Sequence, residues 1–145
     1  MKREWLVSLM VVTSLGALHA PALASDTTEI QGTWLPGSGE LGGRKYPEAI
    51  LKTMKLVLKD ARYTVTVGDQ TDAGTVKLDP DQTPKAMDVT GVEGPNAGKT
   101  FPAIYELKGD TLRICYNLGG QERPVDFKTE GGGKLFLVTY QRQKP

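Results

Sequence analysis

Lys55-Leu56-Val57-Leu58-Lys59-Asp60-Ala61-Arg62-Tyr63-Thr64-Val65-Thr66-Val67 is the most telling run in the chain. Leu56 and Leu58 alternate with charged neighbours, and Tyr63, Val65 and Val67 alternate with Arg62, Thr64 and Thr66. A period of two sends successive side chains to opposite faces, so each half is a strand with one face for a core and one for water. Asp60-Ala61 between them is a two-residue hairpin connection. Outward from this hairpin the same signature repeats. Gly68-Asp69-Gln70 turns the chain into a strand from Ala73 to Leu78, and a two-proline loop through Pro80 and Pro84 leads to another from Lys85 to Val92. Gly94 to Gly98 is a further loop. Thr100–Leu107 and Thr111–Tyr116 then flank the turn Lys108-Gly109-Asp110. Arg123–Lys128, with Pro124 inside it, reads as a short edge piece or a loop, and Lys134–Tyr140 is the last and most apolar strand.

Towards the N-terminus, Ile30–Leu35 is the first strand, broken by Pro36-Gly37-Ser38-Gly39, and Ser25–Glu29 is a polar leader. One helix stands out, Pro47–Met54, with Ile50, Leu51 and Met54 on a shared face. About eight strands joined by short turns predict an all-β, antiparallel up-and-down arrangement that closes into a barrel or folds into a sandwich.

Residues 1–24 read differently. Lys2 and Arg3 precede an apolar stretch from Trp5 to Leu18, and Ala22-Leu23-Ala24 supplies the small-x-small cleavage pattern. The expectation is a signal peptide over 1–24, a single domain over 25–145, and a periplasmic or extracellular destination with no membrane anchor after cleavage. Removing the signal takes away His19, the only histidine, so imidazole-based metal sites and Ser-His or Cys-His catalysis drop out. It also removes Lys2, Arg3 and Glu4 from 18 basic and 17 acidic residues, leaving 16 of each. A neutral domain has no electrostatic case for nucleic acid or an anionic membrane. Cys115 has no partner for an internal disulfide and, without an activating base, reads as a small buried residue.

Two further motifs fail on spacing. Gly94-Pro95-Asn96-Ala97-Gly98-Lys99-Thr100 has three residues between its glycines where a phosphate loop has four, and Phe101-Pro102 follows where a helix should start. Asp69, Asp72, Asp79 and Asp81 do not fall in a calcium-loop pattern and read as solvated turn residues. No metal, cofactor or catalytic constellation is expected.

Gly32-Thr33-Trp34 on the first strand resembles the Gly-x-Trp signature of lipocalins and related calycin barrels. The series Leu78-Asp79-Pro80, Pro84-Lys85-Ala86-Met87-Asp88, Gly94 to Thr100, Ile104-Tyr105-Glu106-Leu107, Gly109-Asp110-Thr111-Leu112, Cys115-Tyr116 and Arg123-Pro124 extends the likeness along the chain. Taken together it is similar to a family of exported bacterial lipocalin-like domains. The resemblance implies an eight-stranded lipocalin-like barrel and transfers no activity. It also implies that Trp34 closes one barrel end with Arg142 stacked over it, a contact worth about 0.5–2 kcal/mol.

Period-two reading groups Phe101, Ala103, Tyr105 and Leu107 on one strand face and Leu112, Ile114 and Tyr116 on the next. If those faces point inward they either fill the barrel or line a pocket, for which Tyr63, Phe101, Tyr105 and Tyr116 are the candidates. In the opposite register Arg113, beside Cys115, becomes an interior cation suited to a carboxylate. The leading expectation is a non-enzymatic barrel that binds a small apolar or amphipathic molecule. The alternatives are a filled barrel that docks on another exported protein or the envelope, and an enzyme using carboxylates or Tyr/Arg pairs.

Overall fold

The computed structural model describes residues 25–145, so the secretory-signal reading of residues 1–24 lies outside the described residues. Nine strands follow one another: β1 (Gly32–Leu41), β2 (Arg44–Lys45), β3 (Met54–Lys59), β4 (Arg62–Val67), β5 (Gln70–Asp79), β6 (Ala86–Glu93), β7 (Thr100–Lys108), β8 (Thr111–Asn117) and β9 (Leu135–Arg142). Two single-turn helices, α1 (Asp26–Glu29) and α2 (Glu48–Leu51), accompany them. Every neighbouring pair is antiparallel, and β9 returns to pair with β1 from Trp34↔Arg142 to Leu41↔Phe136. The result is a closed eight-stranded antiparallel barrel with β2 as an extra ribbon on β1.

The opening hairpin behaves as its pattern dictates. Leu56 faces Val65 and Leu58 faces Tyr63 across β3 and β4, all on the inner side. Asp60 and Ala61 both have positive φ, 49° and 61°, the type I′ turn whose twist matches that of the flanking strands.

Three readings need correction. The Pro36-Gly37-Ser38-Gly39 run does not end the first strand; β1 passes through it with a bulge between Pro36 and Ser38. Such punctuation marks either a turn or a bulge, and here the continuous ladder on β9 decides for the bulge. The helix at Pro47–Met54 shrinks to Glu48–Leu51, because Met54 is drawn into the ladder opposite Val67. The polar leader is not loose: Ser25 precedes α1, which lies under one barrel end.

Connections alternate between the two ends of the cylinder. The β3–β4, β5–β6 and β7–β8 turns gather with α1 at one end, the floor. The β1–β2, β4–β5, β6–β7 and β8–β9 connections gather at the other, the mouth. At the floor, fully buried Trp34 donates its indole N–H to the Ile30 carbonyl at 2.9 Å. The Arg142 guanidinium lies 4.3 Å from the Trp34 ring and donates to the carbonyls of Gln31 and Glu29 and to Asp110. Beside it, Lys85 and Tyr105 both donate to Asp26 Oδ2, at 2.7 and 2.8 Å. Burial works to raise the Asp26 carboxyl, but the hydrogen bonds from Lys85 and Tyr105 outweigh it and hold the group below its ordinary value.

On the outside, Arg123–Lys128 takes the loop alternative and forms no strand. It is part of the long β8–β9 connection, pinned to the barrel wall by Arg123. That guanidinium donates to the Met87 and Ala103 carbonyls at 3.0 and 2.9 Å and pairs with Asp88 at 2.6 Å. Pro124 is buried against the wall, and the Phe127 ring sits 4.1 Å from the Arg113 guanidinium. Ala86, Ile104 and Cys115 lie side by side on the outer face and are nonetheless buried, a small second core beneath this strap. Pro124 explains the missing ladder, since a proline cannot donate to one.

Candidate ligand-binding cavity

The inner face is packed solid near the floor, where Trp34, Tyr105 and Leu112 are at most 1% exposed. Towards the mouth it opens into a cavity of about 210 Å³. The aliphatic part of the wall runs from β3 through β6, with Leu56, Leu58, Val65, Val76, Met87 and Val89, and Ile114 on β8 adds to it. Its aromatic part comes from Tyr63 on β4, Phe101 on β7, Tyr116 on β8, and Phe136 and Tyr140 on β9. At the mouth, Tyr46 and Leu118 complete the rim. Tyr46 reaches it because Gly39 has no side chain: a Cβ there would come within 3.1 Å of Leu51 and 3.2 Å of Tyr46.

One carboxylate looks into this space. Asp72 sits opposite Val65 on the inner side of β5 and is only 8% exposed. Its Oδ2 accepts from the Tyr63 hydroxyl at 2.9 Å and from the Asn96 side-chain amide at 3.0 Å; its Oδ1 accepts from the Asn96 backbone N–H at 3.2 Å. Two glycines make this cluster possible. Gly74 faces Tyr63 across the ladder, and a Cβ there would lie 2.8 Å from the tyrosine ring and 1.9 Å from the Thr90 carbonyl. A Cβ on Gly91 would lie 2.0 Å from the Asn96 carbonyl, so only glycine lets the β6–β7 loop fold inward and deliver Asn96. Burial, then the bond to Asp72, pushes the Tyr63 phenol well up, which keeps its proton in place as a donor. On the β8–β9 side, the Tyr116 and Tyr140 hydroxyls meet at 3.3 Å; burial pushes Tyr140 up to about 12 and Tyr116 well above its ordinary value.

No family model, curated protein or solved structure matches the chain. The cavity therefore stands on its own geometry.

Among the sequence candidates, Tyr63, Phe101 and Tyr116 lie in the cavity wall. Tyr105 does not. It faces inward but sits deeper, with its hydroxyl committed to Asp26 at the floor. Arg113 is also outside the cavity: Leu112, Ile114 and Tyr116 take the inner face, so Arg113 and Cys115 point outward. There Arg113 pairs with Glu106 at 3.3 Å and covers Phe127. Trp34 and Arg142 form the floor contact already described. Cys115 is fully buried, and burial and then Asp126 push its thiol up to about 11, away from nucleophilic use.

Asp72 is the residue the sequence reading misplaced. It is not a solvated turn residue but the first inward position of β5, followed at period two by Gly74 and Val76. Tyr140 was equally within reach, two positions beyond Val138 on the last strand. Asp69 stays in the β4–β5 turn and Asp81 in the β5–β6 loop; Asp79 ends β5. Gly94–Lys99 joins β6 to β7 and is no phosphate loop; its Asn96 is turned in onto Asp72. Among the described residues no group of three or more His, Cys, Asp or Glu side chains is placed to hold a metal ion, and no helix is long and apolar enough to cross a membrane.

Proposed function

We propose that the chain is an exported lipocalin-like barrel that binds a small, largely apolar molecule in its interior. The observation that carries this reading is the cavity of about 210 Å³ that reaches from the mouth into the barrel, walled by aliphatic and aromatic side chains over a sealed floor. A binding site of this kind is concave, mostly apolar and fitted with a few placed polar groups, and Asp72, Asn96 and the tyrosine hydroxyls supply those groups here. A dry apolar cavity of roughly 150 Å³ accommodates benzene, so this one suits a single ring bearing a short chain, or an aliphatic body of similar bulk. For a ligand of on the order of ten non-hydrogen atoms the affinity expected is on the order of micromolar.

Mass spectrometry of the protein purified gently from its native host, first under native and then under denaturing conditions, tests the proposal. A discrete small mass that leaves on denaturation supports it and starts the ligand's identification. A bare chain mass, together with no saturable binding of small aromatic probes to the purified protein, would overturn it. The same measurement reads the mature N-terminus: a chain beginning near Ser25 supports export, and one that retains residues 1–24 counts against it.

A further inference from the structure

We infer that the cavity's occupant is a small organic cation, an amine or quaternary ammonium on a compact apolar body, with Asp72 as its counter-ion. This rests on the reading of the cavity as a ligand site. Three observations lead to it, each independent of the cavity's size.

Asp72 is a carboxylate without a cation. Its three hydrogen bonds come from neutral partners, the Tyr63 hydroxyl and the side-chain and backbone N–H groups of Asn96. No lysine or arginine lies within ion-pairing distance of it among the described residues. A buried charge with no opposite charge is costly, and hydrogen bonds alone offset only part of that cost. A ligand that brings a positive charge supplies the remainder. Oδ1 accepts a single bond, so it keeps acceptor capacity for an N–H from the ligand.

The wall, in turn, holds no basic side chain. An anionic ligand would meet the Asp72 charge in a low-dielectric space with nothing to balance it, and a neutral apolar one would leave the carboxylate unpaired. The third observation is the density of rings. Tyr46, Tyr63, Phe101, Tyr116, Phe136 and Tyr140 all border the space, with Tyr46 and Tyr116 ring centroids 5.1 and 6.2 Å from that of Phe136. Aromatic faces attract cations, and cages of such rings are a common solution to ammonium recognition. Asp72 and these rings border one space, with Tyr63 in direct contact with the carboxylate, so a single occupant can meet both attractions.

The test compares three ligands of one shape against the purified protein: phenethylamine, the neutral 2-phenylethanol and the anionic phenylacetate. Binding is followed by calorimetry and by amide chemical shifts at Tyr63, Asp72 and Asn96. The expected result is that phenethylamine binds at least tenfold more tightly than the alcohol, phenylacetate binds most weakly, and the shifts cluster at those three residues. Asp72→Asn should reduce the amine's advantage to less than threefold while the alcohol still binds. Equal affinities for amine and alcohol would overturn the cation preference and leave the cavity reading standing. An amine preference that survives in Asp72→Asn would overturn the role of Asp72. Failure of all three to bind would overturn this inference, and together with a bare chain mass in the native measurement it would remove the cavity reading as well. If Asp72→Asn does not fold, the charge series on the unaltered protein still decides the preference.

Discussion

At the scale of single residues the floor and the cavity each depend on one aspartate, used in different ways. Asp26 is held by Lys85 and Tyr105, and its lowered pKa converts into a pH dependence of known sign. A group with a lowered folded-state pKa adds stability above its ordinary value, here 3.8, and that contribution is lost as the pH falls through the folded value. Asp26→Asn should therefore cost about 1–2 kcal/mol at neutral pH, with the difference from the unaltered protein shrinking in acid below 3.8. Urea titrations at a series of pH values would show it; a gap that stays constant into strong acid would refute the assignment. Asp72, by contrast, contributes nothing that sequence composition advertises. Gly68, Asp69, Gln70, Thr71 and Asp72 read together as turn chemistry, and the strand that claims Asp72 begins at Gln70 only because its partner β4 extends to Val67. The β4–β5 ladder runs out to Val67↔Gln70 across a turn of only Gly68 and Asp69, so residues whose composition signals a turn end up in the strand. That is why the aromatic wall could be read from alternation while the polar group inside it could not.

At the scale of elements the β3–β4 hairpin carries a small strain that can be relieved. Ala61 is exposed and sits at φ 61°, where a residue with a Cβ is disfavoured by about 1–2 kcal/mol. Glycine removes that penalty at some cost in unfolded-state entropy. Ala61→Gly should raise stability by about 0.5–1 kcal/mol, seen as a higher denaturation midpoint at unchanged m-value; a lower midpoint would refute it. The strap across the outer wall offers a second element-level test. Arg123 fastens it to Met87, Ala103 and Asp88, and Cys115 lies beneath it. In the unaltered protein Cys115 should resist a thiol reagent until unfolding, and Arg123→Ala should speed its labelling at least tenfold without unfolding the barrel. Equal labelling rates would show that the strap is held by Pro124 and Phe127 alone. The strap also shows how far local reading reaches. Proline and glycine located the β8–β9 connection, but nothing in its composition announced that it lies on the wall instead of in solvent.

At the scale of the whole molecule, closure is a long-range event. β1 and β9, the first and last long strands, seal the cylinder, and fully buried Val138 sits in that seam opposite Gly39 and Ile114. A sheet dominated by distant pairings folds slowly, in milliseconds to seconds. If the seam forms after the hairpins, Val138→Ala should cost about 2 kcal/mol and act mainly by speeding unfolding. Stopped-flow traces in which refolding slows by the full amount would instead place the seam in the folding nucleus. Strand alternation alone left closure as one of two outcomes of a meander, because it is equally at home in a sandwich; the resemblance carried by Gly32-Thr33-Trp34 implied the barrel, and the β1–β9 register bears the barrel out. The same closure has a practical side. α1 lies beneath the floor, and the backbone after Arg142 bonds back to Thr33 through Gln143, so both described ends of the chain leave the barrel on the side away from the cavity. A tether, dye or fusion partner attached at either end therefore hangs below the cup, and protein immobilised through residue 145 presents its opening freely to whatever is passed over it.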